Sequence, residues 1–169
     1  MAPAELERLY DAHASALFAF VLNLTRSEPD TRDVLQEVFV KLVARPQMLE
    51  GVRDERGFLL RVAHNLAISA MRRGEARKRN HERFGAEAET VFAPAAGEDE
   101  QAFRDAVAAG MAELPADQRA VLHLKIWEGL TFDAIATALD IPANTAASRY
   151  RYALDKLRHH LRPLYDERK

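Results

Sequence analysis

Apolar residues in this chain return every third or fourth position, and no stretch rich in Val, Ile and Thr alternates with a period of two. That spacing collects apolar side chains on one side of a helix, whereas a half-buried strand needs strict alternation. The chain is therefore predicted to be all-α, without a sheet. A first helix is expected over residues 4–24, burying Leu6, Leu9, Tyr10, His13, Leu17, Val21 and Leu24, with His13 as a packed residue rather than a ligand. A second is expected over 29–45, with Val34, Leu35, Val38 and Leu42 inward. Pro46 ends it, because proline lacks the backbone donor that a helix interior needs. After the loop PQMLEGVRDERG, a third helix over 56–79 buries Leu59, Val62, Ala63, Leu66 and Ala70. It closes in the basic run Arg72, Arg73, Arg77, Lys78 and Arg79, a sign that suits a helix C-terminus.

Charge divides the chain into three parts. The total is close to neutral, with 24 Lys and Arg against 26 Asp and Glu, so the molecule as a whole should not be drawn strongly to polyanions. The average conceals a net +2 over residues 1–80, −5 over 81–105 and +1 over 106–169. The acidic piece, with Gly85, Pro94 and Gly97 among alanines, reads as a linker over 81–100 between an N-terminal domain (1–80) and a C-terminal domain (101–169). A flexible linker of about 20 residues averages roughly 25 Å and extends to roughly 65 Å.

Beyond the linker, four more helical segments are expected over 101–113, 115–127, 131–139 and 143–161. Pro115 suits a first turn, Gly129 a helix stop and Thr131 an N-cap. The last two segments are separated only by Asp140, Ile141 and Pro142, a connection of helix-turn-helix length. If that turn needs a positive φ at Asp140, Asp can adopt it at some cost.

Several chemistries are excluded by composition. With no cysteine there is no disulfide, Cys-zinc or thiol chemistry. No glycine-rich phosphate loop occurs, and no His stands at a useful spacing from the carboxylates Asp33 and Glu37, so neither an enzyme nor a cofactor is expected. No apolar run reaches the roughly 18 residues of a membrane span, and the start shows no secretory leader, so the cytoplasm is the expected location.

Binding faces are easier to find. The final helix buries Ala146, Tyr150, Ala153, Leu154, Leu157 and Leu161 on one side. The other side presents Thr145, Ser148, Arg149, Tyr152 and Lys156, flanked by Arg151, Arg158 and Arg162, against the single acid Asp155. Arg can donate two bonds to guanine, hydroxyls can meet base edges, and Lys neutralises phosphate. On the third helix, Phe58, Arg61, Asn65, Ser69 and Arg72 form a stripe whose aromatic, amide and cationic groups suit unpaired bases. The polar face of the second helix, Asp33, Gln36, Glu37 and Lys41, reads as a docking surface or a solvated one.

Taken in order, these motifs resemble the extracytoplasmic-function group of bacterial sigma-70 factors over nearly the whole chain. DVLQEVFVKLV is similar to the family's segment that grips core RNA polymerase, which implies that role for Asp33, Gln36, Glu37, Phe39 and Lys41. RGFLLRVAHNLAISAMRR is similar to the segment that recognises and opens the minus-10 element, which implies Phe58, Arg61, Asn65, Ser69, Arg72 and Arg73, with residues 46–57 as the pocket for an extruded base. ELPADQRAVLHLKIWEGLTFDAIATALDIPANTAASRYRYALDKLR resembles the minus-35 domain, implying Thr131, Thr145, Ser148, Arg149, Arg151, Tyr152 and Lys156. Phe58 replaces a common tryptophan, Ser69 a common aspartate and Ala147 a frequent Lys or Arg, so promoter preference does not carry over from relatives. The resemblance implies core polymerase and promoter DNA as partners, an anti-sigma inhibitor as a further one, and no catalysis. The rival reading is a LuxR-like helix-turn-helix regulator bound to duplex operators, which the first 80 residues disfavour.

Overall fold

In a computed structural model of the protein, residues 1–80 and 97–166 are described, with side chains omitted for 78–80. All regular structure among them is helical: α1 (Pro3–Thr25), α2 (Glu28–Ala44), α3 (Glu55–Asn80), α4 (Glu98–Glu113), α5 (Ala116–Ile126), α6 (Phe132–Leu139) and α7 (Ala143–Asp166), with a 3-10 turn at Pro46–Leu49. The described residues group into two compact units, one containing α1, α2 and α3 and the other α4, α5 and α7; the division cuts α6 after Ala136. The expected linker lies mostly outside the described residues. Its last four residues do not: Gly97 is the N-cap of α4, and Glu98, Asp99 and Glu100 fill the first turn and complement the helix dipole.

The first unit is a three-helix core. Leu9, Leu17, Phe20, Val21 and Leu24 of α1 meet Val34, Val38 and Leu42 of α2 and Leu59, Leu60, Ala63, Leu66 and Ala67 of α3, all buried. Between α1 and α2 the chain reverses through Arg26, whose left-handed φ of 56° ends the first helix, and Ser27, which caps the second by accepting the Asp30 N–H. The hydroxyl of buried Thr31 donates to the Ser27 carbonyl at 2.8 Å and lies 2.9 Å from the Thr25 hydroxyl, so the turn is satisfied internally. Asp54 caps α3 by accepting the Gly57 N–H at 3.0 Å. A Cβ on Gly57 would collide with that carboxylate.

Three burial expectations fail here. Tyr10 is 54% exposed, and its ring packs 5.1 Å from Phe39 on the outer side of α1 and α2. Phe20, not expected inside, is fully buried and stacks on His64. Leu6, His13, Leu35, Val62 and Ala70 are half-buried at the margin of the core.

The second unit is seated on Met111, Leu114, Leu122, Ala153, Leu157 and Leu161. α4 and α7 approach so closely at Gly110 that a Cβ there would lie 2.6 Å from a Leu157 methyl. Arg119, almost fully buried, donates from Nη1 to the Leu114 carbonyl at 2.8 Å and so closes the α4–α5 turn. Pro115 sits one place before the helix as its N-cap, with extended ψ, rather than in the first turn. Gly129 has φ +64°, and Thr131 caps α6 by accepting the Ala134 N–H at 3.1 Å. Asp140 takes the positive φ the turn requires, 55°, while the Ile141 N–H reaches back to the Ala136 carbonyl at 3.0 Å, a Schellman closure that leads directly into α7.

Candidate nucleic-acid interfaces

On α3, Arg61, Asn65, Ser69 and Arg72 are exposed in a single line, and Phe58 is half-buried at its start. Fourteen residues of helix separate the ends, about 21 Å at 1.5 Å per residue. None of those four side chains makes a hydrogen bond among the described residues. Arg73 is also exposed but departs from the line: with Arg77 it borders a cleft shared with Asp30, Asp33 and Glu37 of α2.

The start of this helix is fixed to α1. Arg8 donates two bonds to Glu55, at 3.0 and 2.7 Å, and His13 Nε2 lies 3.6 Å from the same carboxylate. The Arg8 hydrogen bonds hold the Glu55 carboxyl below its usual value against a weaker opposing effect of burial, and Glu55 raises Arg8 in return. Glu55 thus sits between the reading stripe and the 46–54 loop, whose own turn uses Gly51 at φ +75°.

The α2 face divides by direction. Asp33 and Glu37 look into the cleft with Arg73 and Arg77, and Lys41 pairs with Glu37 at 3.7 Å. Gln36 and Phe39 instead line an apolar groove of about 780 Å³ between α1 and α2, together with Leu6, Tyr10, Phe18, Leu35, Val40 and Val43. Val40 and Val43 are half or more exposed. Sequence reading missed both valines. Their signal was available: on a 100° helical wheel, Val40 falls between Gln36 and Glu37, at the centre of the face already singled out.

On α7 the two faces separate as expected. Ala146, Ala153, Leu157 and Leu161 are buried, and Tyr150 and Leu154 are half-buried, the Tyr150 ring meeting Phe132 at 5.5 Å. Thr145, Ser148 and Arg149 are half-buried and Tyr152 and Lys156 exposed along the opposite line, with Arg151 to one side donating to the Ser148 hydroxyl at 3.4 Å. Arg149 Nε lies 3.4 Å from Asp117 Oδ2 on α5. Thr131 is exposed, but its hydroxyl is committed to the α6 cap. At the end of α5, Ile126 and Trp127 form a second exposed apolar patch that sequence reading did not anticipate, with Trp127 stacked on buried His123 at 5.3 Å. Among the described residues no helix is long and apolar enough to cross a membrane, and no cluster of His, Asp and Glu could hold a metal ion.

A helix-turn-helix with a polar outer stripe, beside a separate three-helix unit with a second such stripe, defines a DNA-reading transcription factor of two modules. Residues 9–77 match the pattern of sigma-70 region 2, and residues 110–159 that of sigma-70 region 4. The chain is 32% identical over 163 residues to the ECF RNA polymerase sigma factor SigL of Mycobacterium tuberculosis, covering 95% of this chain and 91% of the relative. It is 27% identical over 170 residues to the ECF RNA polymerase sigma factor SigX of Bacillus subtilis, covering 94% and 84%. A similar fold, with a TM-score of 0.77 and 22% identity over 94% of this chain and 97% of the other, occurs in the sigma factor RpoE from Bartonella quintana, solved in complex with the anti-sigma factor NepR. The chain belongs to the extracytoplasmic-function group of the sigma-70 family. It is a transcription-initiation factor, and the region 2 match leaves no support for the LuxR-like alternative.

Proposed function

We propose that the N-terminal domain, residues 1–80, docks core polymerase through the outer face of α2 and takes the unpaired minus-10 strand on α3, while the C-terminal domain, residues 101–169, inserts α7 into the minus-35 duplex. The observation that carries this division is the line Arg61, Asn65, Ser69 and Arg72: four exposed polar side chains on a helix whose opposite face is fully packed. A regulator that bound only duplex DNA would have no use for it. Such a line, with Phe58 at its head, supplies phosphate contacts and a stacking face, each base stacked being worth about 1–3 kcal/mol.

For polymerase, the apolar groove with Phe39, Val40 and Val43, which Arg32 and Gln36 also line, has the mixed character of an interface core with a polar rim, and Asp33, Glu37 and Lys41 add polar groups on the neighbouring side of α2. Thr145, Ser148, Arg149, Arg151, Tyr152 and Lys156 meet base edges and phosphates of the upstream duplex. Thr131 caps α6 through the acceptor side of its hydroxyl and keeps its O–H to donate to the same duplex. With a net charge near zero the chain binds duplex weakly alone; fixing both readers on polymerase makes the second contact intramolecular, so two modest affinities act together. The factor itself makes and breaks no bond, works in the cytoplasm beside polymerase, and is inhibited by an anti-sigma partner that covers the same faces.

Run-off transcription with purified core polymerase and a promoter library tests the reading. Promoter-specific transcripts are expected only when the protein is added. Asp33→Arg with Gln36→Ala should lower core binding, measured by co-elution, and normal co-elution would overturn the docking assignment.

A further inference from the structure

We infer that Asp117 is a positioning residue for promoter reading: its carboxylate forms an ion pair along the Nε edge of the Arg149 guanidinium, leaving the terminal amino groups to a base. The inference rests on the assignment of Arg149 to the minus-35 duplex. Asp117 lies in the first turn of α5, on a different helix from the reading stripe, and both of its oxygens are used. Oδ1 accepts the Gln118 N–H at 2.9 Å, which fixes the carboxylate, and Oδ2 lies 3.4 Å from Arg149 Nε. The two terminal amino groups of Arg149 have no hydrogen-bond partner among the described residues.

That is the arrangement base reading needs. Guanine is recognised by two parallel N–H donors meeting O6 and N7, and a planar guanidinium drawn to a carboxylate on its Nε side can offer its terminal pair with less rotamer freedom to lose at the moment of contact. Stability does not account for it, because the Asp117 side chain is half exposed and an ion pair so open to water contributes little to folding. A carboxylate this near the duplex face would also repel phosphate, a cost that buttressing an arginine offsets.

The test uses holoenzyme assembled from core polymerase and the full chain, selecting bound promoters from a library randomised across the upstream element. Arg149→Ala should relax preference at one base position. Asp117→Ala should weaken preference at that same position by about 5- to 10-fold, part of the span set by a single good base contact. Asp117→Asn, which keeps an acceptor, should be intermediate, and Asp117→Ala should add nothing in the Arg149→Ala background. The thermal midpoint of the single variant should not move. If Arg149→Ala relaxes the position and Asp117→Ala does not, the positioning role is wrong while the reading of Arg149 stands. If Asp117→Ala raises binding to all sequences alike, or acts equally without Arg149, the role is also overturned. An unchanged profile for Arg149→Ala would remove the assignment on which the inference depends.

Discussion

The two helices proposed to read DNA carry their polar side chains in different states. On α3 the polar line stands in solvent with no partners among the described residues, and order is concentrated at the helix start, where Arg8, Glu55 and His13 converge. On α7 half-buried Arg149 is ion-paired with Asp117 and exposed Arg151 donates to the half-buried Ser148 hydroxyl, while Tyr152 and Lys156 stand in solvent. A duplex has a fixed shape, so fixing rotamers before contact lowers the entropy lost on binding. A single strand has none, and side chains that meet it must adapt. The difference therefore separates a rigid reader from a compliant one.

The most severe way to break this contrast is to remove the packing under one side. Phe20→Ala should cost about 4 kcal/mol of stability in the first unit, from lost burial and the cavity left behind. Urea unfolding followed by hydrogen exchange should show α1 to α3 weakened and α7 protected, and equal weakening of both would contradict two separate cores. Charge reversal on the compliant side, Arg61→Glu with Arg72→Glu, should reduce open-complex formation about 100-fold, as two lost strand contacts imply. Permanganate reactivity of unpaired thymines reads this directly, while the upstream footprint of the holoenzyme should persist. Next comes Arg119→Met, which leaves the Leu114 carbonyl without its donor. It should cost about 2 kcal/mol by the same urea titration, with no change in which bases are preferred.

The smallest effect concerns pH. The Glu55 carboxyl is held below the ordinary 4.5 in the folded state, first by the Arg8 hydrogen bonds. Its contribution is therefore present above the unfolded value and is lost as pH falls through the lower folded one. Glu55→Gln should flatten the acid limb of a stability profile taken from pH 7 downward, and an unchanged limb would show that the clamp does little for α3.

Much of this was legible in the sequence because helical period and breakers are local properties. The order of the helices and the two faces of α7 follow from spacing and breakers, although α7 continues through Pro163 to Asp166, beyond the expected end at 161. Tyr10 was misassigned because period places it beside the buried arc of α1, whereas only the packing of α2 decides that its ring ends outside against Phe39. Phe20 was legible but missed: at 100° per residue it falls between Leu9 and His13 on the inner arc of α1. Asp117 and Arg119 could not be found by pattern, since each works through a partner in another element: Arg149 on α7 for one, the end of α4 for the other. The fourth helix, expected from 101, begins at Glu98, because three consecutive acids read as linker although acids also begin helices well.

The bare hydrogen at Gly110 has a consequence for how such a factor can change its targets. A methyl group there would press on the Leu157 methyl and the His160 ring, so α7 tolerates a larger residue at this place only as far as those two side chains can turn aside, while exchanges on its outward face leave that seat untouched.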